Sequence, residues 1–494
     1  MKARSVVIIG AGVGGLTAAI HLARHGLRVT VLEKNTSPGG RCNRLLHAGH
    51  RFDTGPTLFV MPRLYEAEFR HLGVEMDEQL DLLRVDPTYR LVFDDGSQLA
   101  LTSDQQSMRE QLEAIEPGSF KRLQDYLQEG GRHYQLTLDN LVTRDLRSPL
   151  QCIDVHTPAL LVRLKAFVNH YSYMSAYVDD PRLKAAFTFQ DIYMGLSPFA
   201  APATFSLLPY TELAHGVYYP RGGMYSIVER LVELARALGV EFAFEVPVEQ
   251  IEIEGARAHA VRLPDGAQLS ADVVLANADL PYVYKDLLPQ DGRAEALARK
   301  RFSCSVISFF WGVDKTCDAL GAHTLFVSDG YRENFDGIER GRGLPPNPSL
   351  YVHAPARLDP SVAPPGRDTL TAIIPVGHIH PDEDQDWDAM RDQAREHVFR
   401  RLRTLGITDL AAHITYEATC TPPMWRQQYN LTKGSTHGLA HTLLQMAYFR
   451  PSNRHARYHN LYFVGASTHP GTGLPTAMVS GRLAATRIIE ELQT

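Results

Sequence analysis

Cysteine is scarce in this sequence: Cys42, Cys152, Cys304, Cys317 and Cys420 are scattered through 494 residues, with no CxxC pair and no ligand-like spacing. That excludes a disulfide framework and a cysteine-built metal centre, and the thiols read as reduced side chains of a cytosolic protein. No HExxH-like pair stands among the 21 histidines. His21 and His25 lie four apart on a helical stretch, but with no third ligand nearby they are expected on its solvent face, and no metal site is expected. Basic excess is missing too. The net charge is −6 and the chain carries no broad nucleic-acid footprint. No run of 18 or more apolar residues occurs, so no simple membrane-crossing helix is expected. The first apolar strand follows Met1 so closely that no signal peptide is expected either. What remains is a globular composition, 44% hydrophobic and 21% charged, on a chain long enough for two or three domains.

The most informative stretch begins at Ser5. Val6-Val7-Ile8-Ile9 has the length and β-branched content of a buried parallel strand. Gly10-Ala11-Gly12-Val13-Gly14-Gly15 follows, then Leu16, Ala19, Ile20 and Ala23 at helical spacing, with Gly26 as a stop. A second strand, Val29-Thr30-Val31-Leu32, ends on Glu33. This βαβ unit carries a dinucleotide fingerprint. Gly10 permits the tight turn, Gly12 lets the backbone approach a pyrophosphate, and Gly15 lets helix and strand pack closely. The helix N-terminus supplies unpaired N–H groups and partial positive charge. Glu33 sits where a carboxylate accepts both ribose hydroxyls and repels a 2′-phosphate, so FAD or NAD is favoured over NADP.

The next loop, Lys34 to Arg41, brings a double glycine (Gly39, Gly40) and one fixed cation. The combination GxGxxG…E…PGGR resembles flavoproteins of the amine-oxidase and carotenoid-desaturase superfamily. The resemblance implies that FAD is the cofactor, that Lys34 and Gly40 border it, and that Arg41 contacts its pyrophosphate, a sensible bidentate role. It also implies that Gly55-Pro56-Thr57 lies beside the isoalloxazine and that Val248 meets the adenine through its backbone. The strand Val273-Val274-Leu275-Ala276-Asn277-Ala278-Asp279 should close the nucleotide-binding sheet, with Asn277 at the cofactor. At the C-terminal end, Asn460-Leu461-Tyr462-Phe463-Val464-Gly465-Ala466 reads as a strand, and Ser467 to Met478 leads into a helix over 479–492. The GASTHPGTGLP pattern there looks like that of bacterial-type phytoene desaturases. Its small residues let the chain run close under a ribityl-phosphate and flavin, which brings Gly465, Ala466, Gly473, Pro475, Ala477 and Met478 to the cofactor.

Between these ends the chain is less distinctive. A strand pair turns at Asp94-Asp95-Gly96, and 104–213 is largely helical. Within it, 192–211 holds no charge at all, and Pro198, Pro202 and Pro209 forbid one continuous helix. That segment reads either as irregular core or as the wall of an apolar cavity or bilayer-dipping surface. Phe167, Tyr171, Tyr173, Met174 and Tyr177, edged by Arg163, Lys165, Arg182 and Lys184, fit an interfacial surface or, equally, a lid with a core face. Long strands are expected over 303–311 and 369–376, and an amphipathic helix over 386–405.

The expected fold is therefore α/β. A Rossmann-type FAD-binding domain (1–85, 216–285, 458–494) joins a mixed α+β substrate domain (86–108, 286–457) and a helical, membrane-contacting subdomain (109–215). The resemblance implies an FAD-dependent desaturase that removes hydrogen from phytoene or a related apolar polyene, extending conjugation towards neurosporene or lycopene. With it come the expectations of quinone or oxygen as candidate electron acceptor and of a cytoplasmic location peripheral to a membrane. His469 is the one sequence-supported acid–base candidate beside the flavin, with a structural hydrogen-bonding role as its alternative, and no proton acceptor is assigned. A carotenoid isomerase or ketolase of the same family, a flavin amine oxidase, and a prenyl-binding chaperone of GDP-dissociation-inhibitor type stand as alternative readings.

Overall fold

The computed structural model describes residues 4–147, 157–288, 291–339, 343–380 and 382–493, which leaves Cys152 outside the described residues. The strand Ser5–Ile9 is buried along almost its whole length and lies at the centre of a five-stranded parallel sheet. Arg28–Leu32 and then Glu241–Ala243 lie on one side of it, Val273–Ala276 and then Leu461–Phe463 on the other. The strand Val273–Ala276 was expected to close this sheet. Instead Leu461–Phe463, from near the C-terminus, forms that edge.

The helix Val13–Arg24 follows the first strand through Gly10, whose φ of +97° suits only glycine, and where a Cβ would stand 2.6 Å from the Asn277 carbonyl oxygen. A second helix, Leu474–Gln493, packs against it so closely that a Cβ on Gly481 would lie 2.4 Å from the Gly14 carbonyl. This helix starts at Leu474 rather than at 479, because Pro475 falls in the first turn, where its missing N–H costs no bond.

A seven-stranded sheet forms the second layer, in the order Ile414–Cys420, Ser305–Val313, Asp368–Val376, Leu350–His353, His323–Val327, Tyr89–Phe93 and Gln98–Leu101. All neighbours are antiparallel except His323–Val327 with Tyr89–Phe93, which run parallel. The helix Trp387–Arg403 covers one face, its first turn capped by the Asp386 carboxylate and its Phe399 stacked on the fully buried Trp311 at 5.4 Å.

The helical insertion holds Gln105–Ile115, Ser119–Thr137 and several short helices, ending with Leu207–Ala214. A buried Asp191–His170–Tyr126 chain ties it together. The His170 ring bonds the Asp191 carboxylate at 2.9 Å on one side and the Tyr126 hydroxyl at 2.7 Å on the other. Of the two readings of the aromatic run, an interfacial surface or a lid with a core face, the structure favours the second for most of it. Met174 is fully buried, Tyr171, Tyr173 and Tyr177 pack on the core, and Phe167 alone is well exposed. Likewise His21 does not face solvent. It is buried, and burial with the nearby Arg482 pushes its acid down to about 3, while the described residues hold no cluster of metal-ligating groups. Among the described residues no helix is long and apolar enough to cross a membrane.

Candidate active site

One cavity of about 580 Å³ joins the three layers. Its nucleotide end is framed by the C-terminal edge of the parallel sheet, where Gly10, Gly12, Gly14, Glu33, Lys34, Gly40 and Arg41 meet Val248, Asn277, Gly465, Ala466, Gly473, Pro475 and Ala477. Gly55, Pro56 and Thr57 line it further along. Three of the expected residues stay off the wall. Gly15 sits one layer back, where a Cβ would meet the Gly10 carbonyl at 2.5 Å, so it serves helix–strand packing. Met478 is fully buried in the core beneath the sheet. His469 is also off the cavity: its Nε2 meets the Arg144 carbonyl at 2.8 Å, and its peptide bond to Pro470 is cis. Burial lowers its acid below the ordinary histidine range, which leaves a neutral ring fastened to the insertion.

The local geometry at the nucleotide end suits an anion. No side chain caps the helix Val13–Arg24 at Gly12, so its first N–H groups face the cavity. The Arg41 guanidinium donates to the Thr436 carbonyl at 2.6 Å, and the residue lines the cavity. Desolvation lowers its acid, and the carboxylate of Asp279 works against that shift. The Glu33 carboxylate is pinned by the Ala11 N–H at 2.8 Å and the Asn35 N–H at 2.9 Å, which aims it at the cavity. Lys34 is turned the other way, donating to the Gln427 carbonyl at 2.9 Å and the Asn430 side chain at 3.0 Å. Asn277 donates to the Gly10 carbonyl at 3.0 Å, and a Cβ on Gly12 would lie 2.8 Å from that same amide, so the turn is shaped with no room to spare.

The far end is different in character. Ile192, Met194, Phe205, Leu207 and Leu208 from the uncharged segment face Val327, Phe335 and Ile373 from the seven-stranded sheet and its neighbouring helix. The two ends of the 192–211 stretch thus line an apolar cavity, while Leu196, Ala201 and Ala203 between them are buried off its wall, so the cavity-wall and irregular-core readings each hold for part of it.

Three groups that sequence reasoning missed shape the site. His437 is the cavity's histidine among the described residues, its acid pushed down to about 4 by burial and then by Arg41. Arg450 is wholly buried and donates to the carbonyls of Leu439, Ala440, Gln445, Ala466 and Thr468, holding the C-terminal glycine loop against 439–445. Glu212 is buried and bonded to Tyr89 and Gln190. Its one trace in the sequence is that it ends the uncharged segment.

An uncapped helix N-terminus, a guanidinium at the cavity wall and a glycine-surfaced floor fit the pyrophosphate of a flavin dinucleotide. Fold and site together define a nucleotide-binding flavoprotein oxidoreductase. The chain belongs to the flavin containing amine oxidoreductase family, whose match spans residues 13–489, and its cofactor is FAD. It is 42% identical to a zeta-carotene-forming phytoene desaturase of Myxococcus xanthus, over 99% of this chain and 94% of that one. A phytoene desaturase of Fusarium fujikuroi is 40% identical over 99% of this chain and 90% of its own length. Among solved structures, a putrescine oxidase bound to putrescine is similar in fold, with a TM-score of 0.64 at 17% identity and 99% of each chain covered.

Proposed function

We propose that this protein is an FAD-dependent carotenoid desaturase that removes hydrogen from phytoene or a closely related apolar polyene. The observation that carries the reading is one continuous cavity that joins a glycine-lined nucleotide end to an apolar wall to which both ends of the uncharged 192–211 segment contribute. A polyene offers no charge or hydrogen bond to hold, so its recognition must come from a long apolar surface that releases water. The relatives named as phytoene desaturases over nearly the whole chain support the same substrate class. An amine substrate would call for a different far end than Leu207, Leu208 and Phe335.

When bound, FAD supplies the two-electron acceptor for a hydride. The chain's own residues do the rest. The helix N-terminus at Gly12 and Arg41 would hold the pyrophosphate and Glu33 the ribose, and Gly465, Ala466 and Gly473, which line the same end of the cavity, would let the backbone approach the cofactor closely. Thr57 Oγ1, hydrogen-bonded to the Tyr351 hydroxyl at 2.8 Å, marks the polar border at which the apolar chamber begins. Quinone or oxygen would serve as the final electron acceptor.

The substrate enters from a membrane surface. The exposed Val162, Phe167 and Val168, flanked by Arg163 and Lys165, together with Leu444 and Phe449, supply apolar groups for shallow insertion and cations for lipid phosphates. The test is the visible spectrum of products after FAD-loaded protein is incubated with phytoene in liposomes. New long-wavelength, finely structured absorbance is expected, its position reporting how many double bonds were added. Flavin-loaded protein that leaves phytoene and partly desaturated polyenes unchanged overturns the reading.

A further inference from the structure

The apolar end of the cavity contains one polar knot that neither holds the cofactor nor completes a fold element. The hydroxyls of Tyr89 and Tyr193 are hydrogen-bonded to each other, and both reach the Glu212 carboxyl. Tyr89 stands 3.2 Å from Glu212 Oε1, and the Gln190 side-chain amide donates to Oε2 at 3.1 Å. Both tyrosines line the cavity, whereas Glu212 lies behind them at 3% exposure.

Among the described residues no cation pairs with this carboxyl. From the 3₁₀ turn Phe189–Met194 it faces Gln190 and Tyr193, from the strand Tyr89–Phe93 it faces Tyr89, and Tyr351 stands nearby on the strand Leu350–His353. Asp191, the nearest other acid on that turn, is already bonded to His170. A buried carboxyl held only by neutral donors costs more than the glutamine that would make the same contacts, so a purely structural role does not explain the acid.

We propose that the Glu212 carboxylate, acting through the Tyr193 hydroxyl, receives the proton lost in desaturation, with Tyr89 keeping the pair in register. The proposal rests on the carotenoid-desaturase reading and supplies the acceptor that His469, fastened to Arg144 outside the cavity, does not. The balance is simple. On one carbon a C–H bond breaks with its electron pair, and the hydride passes to FAD. On the adjacent carbon the C–H pair becomes the new C=C bond. That proton goes to Tyr193 Oη while the hydroxyl's own proton moves to Glu212, so the substrate loses two hydrogens, FAD gains two electrons and one proton, and the carboxylate gains one proton. Tyr193 touches substrate, and Glu212 acts through it. Desolvation raises the Glu212 acid to about 7, so near neutral pH it exchanges protons rather than holding a permanent charge.

The experiment compares wild type with Glu212→Gln, Glu212→Asp and Tyr193→Phe in liposomes, each checked for bound flavin by its absorbance. E212Q is expected to lower kcat on the order of 10²-fold with KM changed little, in line with the loss of a general base. E212D should restore part of the rate. In wild type kcat should rise with pH through about 7, and in E212Q that rise should be absent. E212Q that turns over at the wild-type rate, or that loses rate yet keeps the rise with pH, overturns the proposal. If E212Q does not fold, Tyr193→Phe decides, because it keeps the carboxyl and removes the hydroxyl; wild-type turnover there overturns the relay equally. The relay is read from the ratio of variant to wild type on whichever polyene the wild type dehydrogenates. The function reading is judged from the wild type alone, so the two failures are distinct.

Discussion

Asp53, on the cavity wall, is a second strongly perturbed acid in addition to Glu212, which lies behind that wall. It is 6% exposed, accepts from the Tyr219 hydroxyl at 3.0 Å and from the Tyr225 N–H at 3.3 Å, and desolvation outweighs both bonds, raising its acid to about 6. The sign follows from linkage. An acid raised on folding contributes stability that is fully present below its unfolded value near 4 and is lost as pH climbs through about 6. Asp53→Asn cannot ionise, so its unfolding temperature should gain on wild type between pH 4.5 and pH 7, an effect on the order of 2–3 kcal/mol at most. A gap between the two proteins that stays constant over that range would refute the assignment. Legibility at this scale followed the backbone. Glu33 and Arg41 could be placed from sequence because each stands at a fixed distance from a glycine turn, and both line the cavity. Glu212 could not, since an acid beside an uncharged run reads as the solvent boundary of that run. Asp191 and Glu212 are instead its two buried anchors, at 0% and 3% exposure. His469 could not be settled from sequence for the opposite reason. Residues of the motif around it line the cavity, but its own ring turns to the Arg144 carbonyl, the structural hydrogen-bonding role that stood as its alternative.

At the scale of elements, the contact of greatest consequence is the crossing of the helices Val13–Arg24 and Leu474–Gln493 at Gly14 and Gly481. A side chain at Gly481 would meet the Gly14 carbonyl at 2.4 Å and Thr17 at 2.9 Å, with nothing flexible to give way. Gly481→Val should force the two N-termini apart just where both face the cavity, costing about 1–3 kcal/mol by overpacking and loosening the flavin. The check is an unfolding scan together with flavin retained through gel filtration. A variant that melts at the wild-type temperature with full flavin rules this out. The parallel strands and both cofactor helices were readable because apolar period and glycine punctuation agree there. The order of strands in the sheet was not, because a strand's neighbours depend on the crossover and not on its own residues. The irregular path through 192–211 was visible only as a prohibition, from Pro198, Pro202 and Pro209. What fills it, short 3₁₀ turns ending in the helix Leu207–Ala214, follows from packing on the seven-stranded sheet.

For the whole molecule, the proposed membrane contact has a direct readout. Replacing Val162, Phe167, Leu444 and Phe449 together by serine should abolish co-flotation with anionic liposomes and leave turnover of detergent-dispersed substrate within a few-fold of wild type. Retained flotation would remove these four residues from the contact. The sheet that carries the nucleotide site has a further implication for how the protein comes into being. Its central strand Ser5–Ile9 comes early in the chain, and its edge strand Leu461–Phe463, with the helix Leu474–Gln493 that completes the glycine floor, comes far later. Since chains fold as they emerge, N-terminal parts first, the nucleotide end of the cavity cannot close before that strand and helix have been made. A chain interrupted before Leu461 would lack both, so retention of the yellow cofactor reports that these late elements are in place.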